Sequence, residues 1–192
     1  MTIPSPEKSF RNDGLNHSRT IYVIIFIVVL VYLPFPSGAV DLESRYAVIT
    51  FYDHDALRRF NDELYMGRLG SQMRRNTGET IEDEVISKID FIVEKVMTAL
   101  DMFLPDLKFS IVIHPDEKSV HKDFYEIYKV DVDYIAFFSP SKKTVFYSAD
   151  NASLRVVAHE IGHVVAENYF PISPPQRIHE VMAQYAEQHV TD

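Results

Sequence analysis

The sequence predicts an α+β fold, and three observations carry that prediction. Residues 46–52 and 107–114 are β-branched and aromatic runs of strand length. A stripe of apolar residues at helical spacing lies between them, over 81–100. From about residue 152 onward the chain carries only helical periodicity. A mostly early sheet followed by segregated helices indicates one α+β domain, and 192 residues allow a single domain with a tail.

The domain is predicted to alternate between short strands and amphipathic helices. In chain order the elements are a strand 46–52, a helix 53–66, a polar loop 67–78, a helix 80–100, a strand 107–114, a helix 117–129, strands 134–138 and 144–148, and helices 152–170 and 175–190.

Local signals justify the ends of these elements. Asp53, Thr80 and Asn151 are expected to cap helices, because short polar side chains accept hydrogen bonds from the free N–H groups of a first turn. Residues 139–143 (SPSKK) separate two short strands and predict a hairpin. Pro174-Pro175 suits the start of the last helix, where proline's missing N–H leaves no hydrogen bond unmade.

Residues 1–39 are typical of a targeting segment, and residues 40–192 are expected to form the domain. A polar start with three basic side chains precedes an unbroken apolar run at 21–33, and Ser37 and Ala39 fit the −3 and −1 positions of a cleavage site. Thirteen helical residues cover only about 20 Å of a ~30 Å hydrocarbon core, which favours a cleaved signal peptide. An uncleaved anchor stays open, because the leading segment is long for a signal peptide. The domain is therefore expected to be exported, either periplasmic or secreted, or held at the membrane through residues 21–33.

Composition excludes several functions. The formal net charge is −9 and no Lys/Arg cluster is present, so nucleic acid is not an expected partner. The chain has no cysteine, which excludes disulfides, thiolate metal sites and cysteine nucleophiles. Any bound metal must be held by His, Asp or Glu.

Residues 159–163 carry an H-E-x-x-H motif on the first C-terminal helix. His159 and His163 are four apart and share one helix face, so both imidazoles can converge on a single cation. Glu160 lies one position round the helix, beside such a cation, where a general base could take a proton from an activated water. Apolar flanks predict that this helix is largely buried, and Gly162 would let another backbone approach it closely.

The second C-terminal helix supplies a third ligand, Glu180. The turn 171–175 (PISPP) is expected to fold the two helices into an αα-hairpin. A third histidine six residues after His163 is absent, because Tyr169 stands there. Two histidines and one glutamate with an open fourth position form the ligand set of a catalytic zinc site. The expected cofactor is therefore Zn²⁺.

The pattern His159-Glu160-x-x-His163, followed by Glu180-x-x-Ala183-x-Tyr185-x-Glu187, resembles the gluzincin metallopeptidases of clan MA. The likeness covers residues 144–187 and is greatest to small bacterial members, the minigluzincins and peptidase-MA-like exported proteins. It implies a zincin-like domain, with a small twisted sheet, a long backing helix and a C-terminal active-site helix pair. It also implies an edge strand that pairs with extended substrate. The residues expected to form that edge are Tyr134, Ile135, Ala136, Phe137 and Phe138.

The sequence departs from the family pattern in the residues expected to support the ligands. Many gluzincins place an aspartate four residues after the glutamate ligand, as a partner for a ligand histidine. Gln184 occupies that position here, and Glu187, two turns from Glu180, is the alternative partner. The nearest phenols for stabilising an oxyanion are Tyr169 and Tyr185, and Tyr185 is expected to pack in the core.

Two functions are consistent with these residues. The first is an exported zinc-dependent peptidase, with peptide or protein substrates and Glu160 as general base. The alternative is a non-catalytic or zymogen-like zinc-binding interaction module, at the membrane or in the periplasm, that binds a partner through its edge strand. The intact Glu160 favours the enzyme, since a structural site needs no base there.

Overall fold

A five-stranded mixed sheet organises the chain in a computed structural model that describes residues 38–73 and 80–192. The strand order is β1-β2-β3-β5-β4. The three central strands are parallel to one another, and the two edge strands, β1 and β4, are antiparallel to their neighbours. The strands are β1 (Val40–Glu43), β2 (Ala47–Phe51), β3 (Phe109–His114), β4 (Ala136–Ser139) and β5 (Thr144–Ser148).

Helices cover both faces of this sheet. Successive strand residues point to opposite faces, so Val145 belongs to the larger buried cluster and Phe146 to the smaller one. The larger cluster packs the sheet against α1, α2 and α4, and the smaller one packs it against α3. The α-helices are α1 (His54–Glu63), α2 (Ile81–Leu100), α3 (Glu117–Tyr128), α4 (Leu154–Tyr169) and α5 (Gln176–His189).

The predicted α+β class is confirmed, and so are two of the three helix caps. The side chain of Asp53 accepts hydrogen bonds at the start of α1, and that of Thr80 does so at the start of α2. The third cap is wrong, because Ser153 caps α4 by accepting from the Val156 N–H. Asn151 instead lies in a 3-10 turn, Ala149–Asn151, and its amide donates to Glu117 at 2.8 Å. Because of this turn, helix α4 begins at Leu154, two residues later than predicted.

Two strands differ from the sequence prediction. Strand β1 was not predicted, because its residues are mostly exposed and half polar, without the β-branched run that marks a buried strand. Strand β4 begins at Ala136, two residues later than predicted, and includes Ser139. Tyr134 and Ile135 precede it, although the Ile135 carbonyl still accepts a hydrogen bond from Ser148 at 3.0 Å.

The other predicted boundaries agree with the structure to within a few residues. The predicted loop 67–78 includes a 3-10 turn, Gly67–Ser71, and residues 74–79 lie outside the described part. The predicted targeting segment also lies outside it, apart from Gly38 and Ala39. No helix among the described residues has the length and apolar character needed to cross a bilayer.

Candidate metal centre

Helix α4 presents the two histidines of the H-E-x-x-H motif toward one side of the domain. Its opposite side is buried in the larger core cluster through residues such as Val157, Ile161 and Val164. His159 and His163 follow one another by one helical turn, and their ring centroids are 5.0 Å apart. Burial of one stripe of α4 thus fixes the direction in which both imidazoles point.

Helix α5 packs closely on α4 because residue 162 is glycine. A Cβ placed on Gly162 would lie 2.8 Å from the Cα of Ala183 and 3.2 Å from the Cβ of Ala186. Real Cβ atoms do not approach a backbone atom so closely, so a larger residue would force the helices apart. The close approach predicted from Gly162 is therefore confirmed, and it brings Glu180 of α5 over the histidines of α4.

His159, His163 and Glu180 form what we call the His–His–Glu trio. One carboxylate oxygen of Glu180 lies 3.7 Å from His159 Nε2, and the other lies 3.7 Å from His163 Nε2. All three potential ligand atoms lie within 4.8 Å of one another, so the trio could hold a metal ion. A separation of 3.7 Å is too long for a hydrogen bond. It is close to the roughly 3.4 Å expected between two ligands that are each about 2.1 Å from one tetrahedral zinc ion.

Glu187 of α5 contacts the other ring nitrogen of His159. Its carboxylate lies 3.2 Å from His159 Nδ1 and 3.5 Å from Nε of Arg155. In the tautomer in which Nδ1 donates to this carboxylate, Nε2, which faces Glu180 at 3.7 Å, is the nitrogen available to a metal ion. Gln184, the other residue predicted for this role, is exposed, and among the described residues no hydrogen bond joins it to the trio.

Glu160 lies beside the trio and is almost fully buried, with 9% of its surface exposed. The pKa of Glu160 is raised to about 8, chiefly by burial and also by the nearby Glu180 carboxylate, while a hydrogen bond from the Phe138 backbone N–H acts in the opposite direction. A cation held by the trio would favour the ionised carboxylate. Glu160 therefore stands between the trio and strand β4, to which Phe138 belongs.

The surroundings of His163 favour the neutral form of its imidazole. Burial lowers the pKa of His163 to about 4, and the neighbouring His159 and His179 act in the same direction. The neutral ring is the form of histidine that binds metal ions.

A hydrogen-bonded cluster next to the trio was not predicted from the sequence. His179 is buried, and its ring centroid lies 5.9 Å from that of His163. His179 Nε2 lies 3.1 Å from a Glu167 carboxylate oxygen, and the Ser173 hydroxyl donates to the same oxygen at 2.7 Å. The cluster ties the turn between α4 and α5 to the end of α4. No local signal marks it, because the conformation of that turn decides which side chains meet.

A cavity of about 820 Å³ joins the trio to the sheet edge, a size typical of ligand sites. All five residues predicted for the edge strand line it, together with the trio, Glu160, Glu167 and His179. Tyr169 and Tyr185 do not line it. The expectation that Tyr185 packs in the core is wrong, because this residue is 47% exposed and its ring stacks on His189 at the surface of α5.

No family model, curated protein or solved structure matches this chain.

Proposed function

We propose that the chain is an exported zinc-dependent peptidase of the gluzincin type. The observation that carries the proposal is the arrangement of three ligand atoms from two helices within 4.8 Å, with the buried carboxylate of Glu160 beside them. A chain that only needed a structural ion would have no use for a buried glutamate next to its ligands.

Each residue of the site has a proposed role. His159, His163 and Glu180 hold the ion, and Glu187 fixes the orientation of His159. When bound, zinc would polarise the scissile carbonyl and lower the pKa of a water molecule. Glu160 accepts the proton of the attacking water and then delivers it to the departing amine nitrogen. Burial of Glu160 excludes bulk water, which would otherwise compete for that proton.

Strand β4 is proposed to hold the substrate as an added strand. Hydrogen-bonded and non-bonded pairs alternate along antiparallel strands, and the Ser148 N–H bonds to the Ile135 carbonyl. Phe137 and Ser139 therefore face β5, whereas Ala136 and Phe138 direct their backbone groups to the free edge. The contact of the Phe138 N–H with Glu160 agrees with this direction. A peptide paired with this edge would lie next to the proposed base.

Export is part of the proposal and is supported by sequence alone. The basic start, the apolar run 21–33 and the small residues Ser37 and Ala39 support a signal peptide or an anchor. The N-terminal sequence of the mature protein from its host distinguishes the two: a start near Val40 supports cleavage, and an intact leader supports the anchor.

A non-catalytic zinc-binding module is the second candidate. Two observations favour it, namely the free edge of β4, which could pair with any extended partner, and the position of Tyr169 and Tyr185 outside the cavity. Neither of these phenols is placed to stabilise an oxyanion.

Glu160→Gln separates the two candidates, because glutamine keeps the size of the side chain but cannot accept a proton. On the peptidase proposal, hydrolysis of an unbiased peptide library falls by about 10²–10⁴ while zinc content is unchanged. Glu167→Gln is the matched control, since Glu167 lines the same cavity but contacts His179 instead of the reaction centre. A wild-type protein that binds zinc and cleaves no peptide would contradict the peptidase and favour the module.

A further inference from the structure

We propose that the cavity selects extended peptides by a large apolar side chain, held against Phe124, Tyr128 and Tyr134. These three residues are called the aromatic wall. The inference rests on the proposed function and names the substrate class of that site: unpaired peptide segments with an aromatic or large aliphatic residue beside the cleaved bond.

The aromatic wall is a continuous apolar surface that remains open to solvent. The ring of Phe124 lies 4.8 Å, centroid to centroid, from those of both Tyr128 and Tyr134, and all three residues line the cavity. Phe137 supports the wall from within, 5.1 Å from Phe124. Tyr134 is 43% exposed, although its ring packs on Phe124. Such an exposed aromatic surface has apolar area left to bury against a ligand.

Successive side chains of a strand point to opposite faces. A peptide paired with β4 would therefore have the aromatic wall on one face and the His–His–Glu trio on the other. The side chain of Phe137 points to the α3 face, whereas Ala136 and Phe138 pack against the larger core cluster on the other face. Residues directly opposite each other in paired strands share a face. A substrate residue opposite Phe137 therefore contacts the aromatic wall, and its two neighbours face the site. The apolar preference is thus expected within one or two residues of the cleaved bond.

Polar contacts hold the wall in place before any peptide binds. The Tyr128 hydroxyl donates to the Ser139 hydroxyl of β4 at 2.9 Å. His121 of α3 contacts Asp131 and Asp133, in the segment leading to Tyr134, at 2.7 and 3.3 Å. A surface already fixed in its binding geometry loses little conformational entropy when a ligand docks.

The charge of the cavity adds a second preference. Its lining includes five carboxylates, and no lysine or arginine among the residues that the structure describes. One of the five, Asp133, adjoins the wall. Acidic substrate residues would be repelled there, so the favoured segments are apolar with neutral or basic neighbours.

The test measures peptide binding to the zinc-loaded Glu160→Gln protein, so that no cleavage occurs. The probes are short alanine-based peptides that carry a fluorescein label and one variable residue. Their binding is measured by fluorescence anisotropy. Phenylalanine or leucine at that residue is expected to tighten binding by about tenfold over alanine, as burial of one large apolar side chain implies. Glutamate is expected to weaken it.

Added to this background, Tyr134→Ala should remove the preference for phenylalanine, and Tyr134→Phe should retain it. Tyr125→Ala is the matched control, because Tyr125 is an exposed tyrosine of the same helix as Tyr128 and lies outside the cavity. Equal affinity of the Glu160→Gln protein for the phenylalanine and alanine peptides would by itself overturn the inference. An equal loss of preference in Tyr125→Ala would also overturn it.

The inference and the proposed function fail in different ways. Wild-type cleavage of a peptide library without any apolar preference contradicts the aromatic wall and leaves the peptidase intact. An apolar binding preference in a protein that cleaves nothing supports the wall and contradicts the peptidase.

Discussion

Two of the regions in which histidine lies beside carboxylates differ in the spacing of these groups. In the first, Nε2 and Nδ1 of His121 lie 2.7 and 3.3 Å from Asp131 and Asp133, respectively, and both aspartates are exposed. In the second, His159 and His163 each hold Nε2 at 3.7 Å from the carboxylate of Glu180. His121 divides its two nitrogens between two direct contacts, whereas the trio brings three potential ligand atoms within 4.8 Å of one another.

His121 with Asp131 and Asp133 forms a set of direct surface contacts, whereas the His–His–Glu trio is a candidate metal site. Direct contacts at 2.7 to 3.3 Å satisfy the groups that make them. The longer separations of the trio leave those groups unsatisfied by one another, at a distance that a shared ion would bridge. The trio also lies on two helices locked by Gly162, while the two aspartates lie in a loop. A rigid support keeps ligand positions fixed, which is what a metal site requires.

Removal of Glu180 should have the largest effect on the trio. Glu180→Ala is expected to abolish the zinc-dependent rise in melting temperature, because two histidines alone bind the ion far more weakly. In the wild type, zinc at about 100 times its Kd should add about 2.7 kcal/mol to the free energy of unfolding. Asp131→Ala is the matched control, and thermal unfolding with and without zinc is the measurement. If zinc still raised the melting temperature of Glu180→Ala but not that of Asp131→Ala, the metal site would lie at Asp131 instead of at the trio.

Gly162→Ala tests the rigid support under the trio. The added Cβ would lie 2.8 Å from the Ala183 backbone, so α4 and α5 must separate. We expect a loss of roughly 1–3 kcal/mol in the free energy of unfolding from overpacking, together with weaker zinc binding. Urea denaturation measures the first and competition with a chelating dye the second. Gly70→Ala is the control, because its nearest neighbour would be 3.8 Å away. Equal stability of the two variants would show that close packing at residue 162 is unimportant.

The partner of His159 gives a smaller effect on zinc affinity. Glu187→Gln removes the charge that lies 3.2 Å from Nδ1, and the expected loss in zinc affinity is about 10–100-fold. Glu126→Gln changes a carboxylate on the exposed surface of α3 and should leave the affinity unchanged. An unchanged affinity in Glu187→Gln would mean that the orientation of His159 is set by packing alone.

His121→Asn should change least. Exposed ion pairs contribute about 0–1 kcal/mol, so the free energy of unfolding should fall by no more than that. Zinc content should stay as in the wild type, and both quantities are measured on the same preparation. Loss of zinc in this variant would place the ion at His121 instead of at the trio.

The sequence predicted the features of the site that depend on local periodicity. The spacing of His159 and His163 fixes their common helix face, and Gly162 marks the surface on which α5 packs. Glu180 could be selected because a short proline-rich turn leaves few ways to fold one helix back on another. These inferences need only the geometry of a helix and the length of a turn.

The remaining features depend on tertiary contacts that periodicity does not encode. Gln184 and Glu187 were both candidates for the partner of His159, and the crossing of α4 and α5 brought Glu187 to it. The contact between His179 and Glu167 depends on the path of the turn that contains Ser173. Strand β1 is half polar and mostly exposed, so no β-branched run in its sequence predicts its pairing with β2.

The decisive measurement is the location of zinc in crystals of the zinc-loaded protein. Anomalous diffraction at the zinc absorption edge locates the ion without reference to the assumed ligands. We expect one strong peak per chain, about 2.0–2.2 Å from Nε2 of His159, Nε2 of His163 and a carboxylate oxygen of Glu180. A peak between His121 and Asp131 with none at the trio, or no ordered zinc at all, would contradict this expectation.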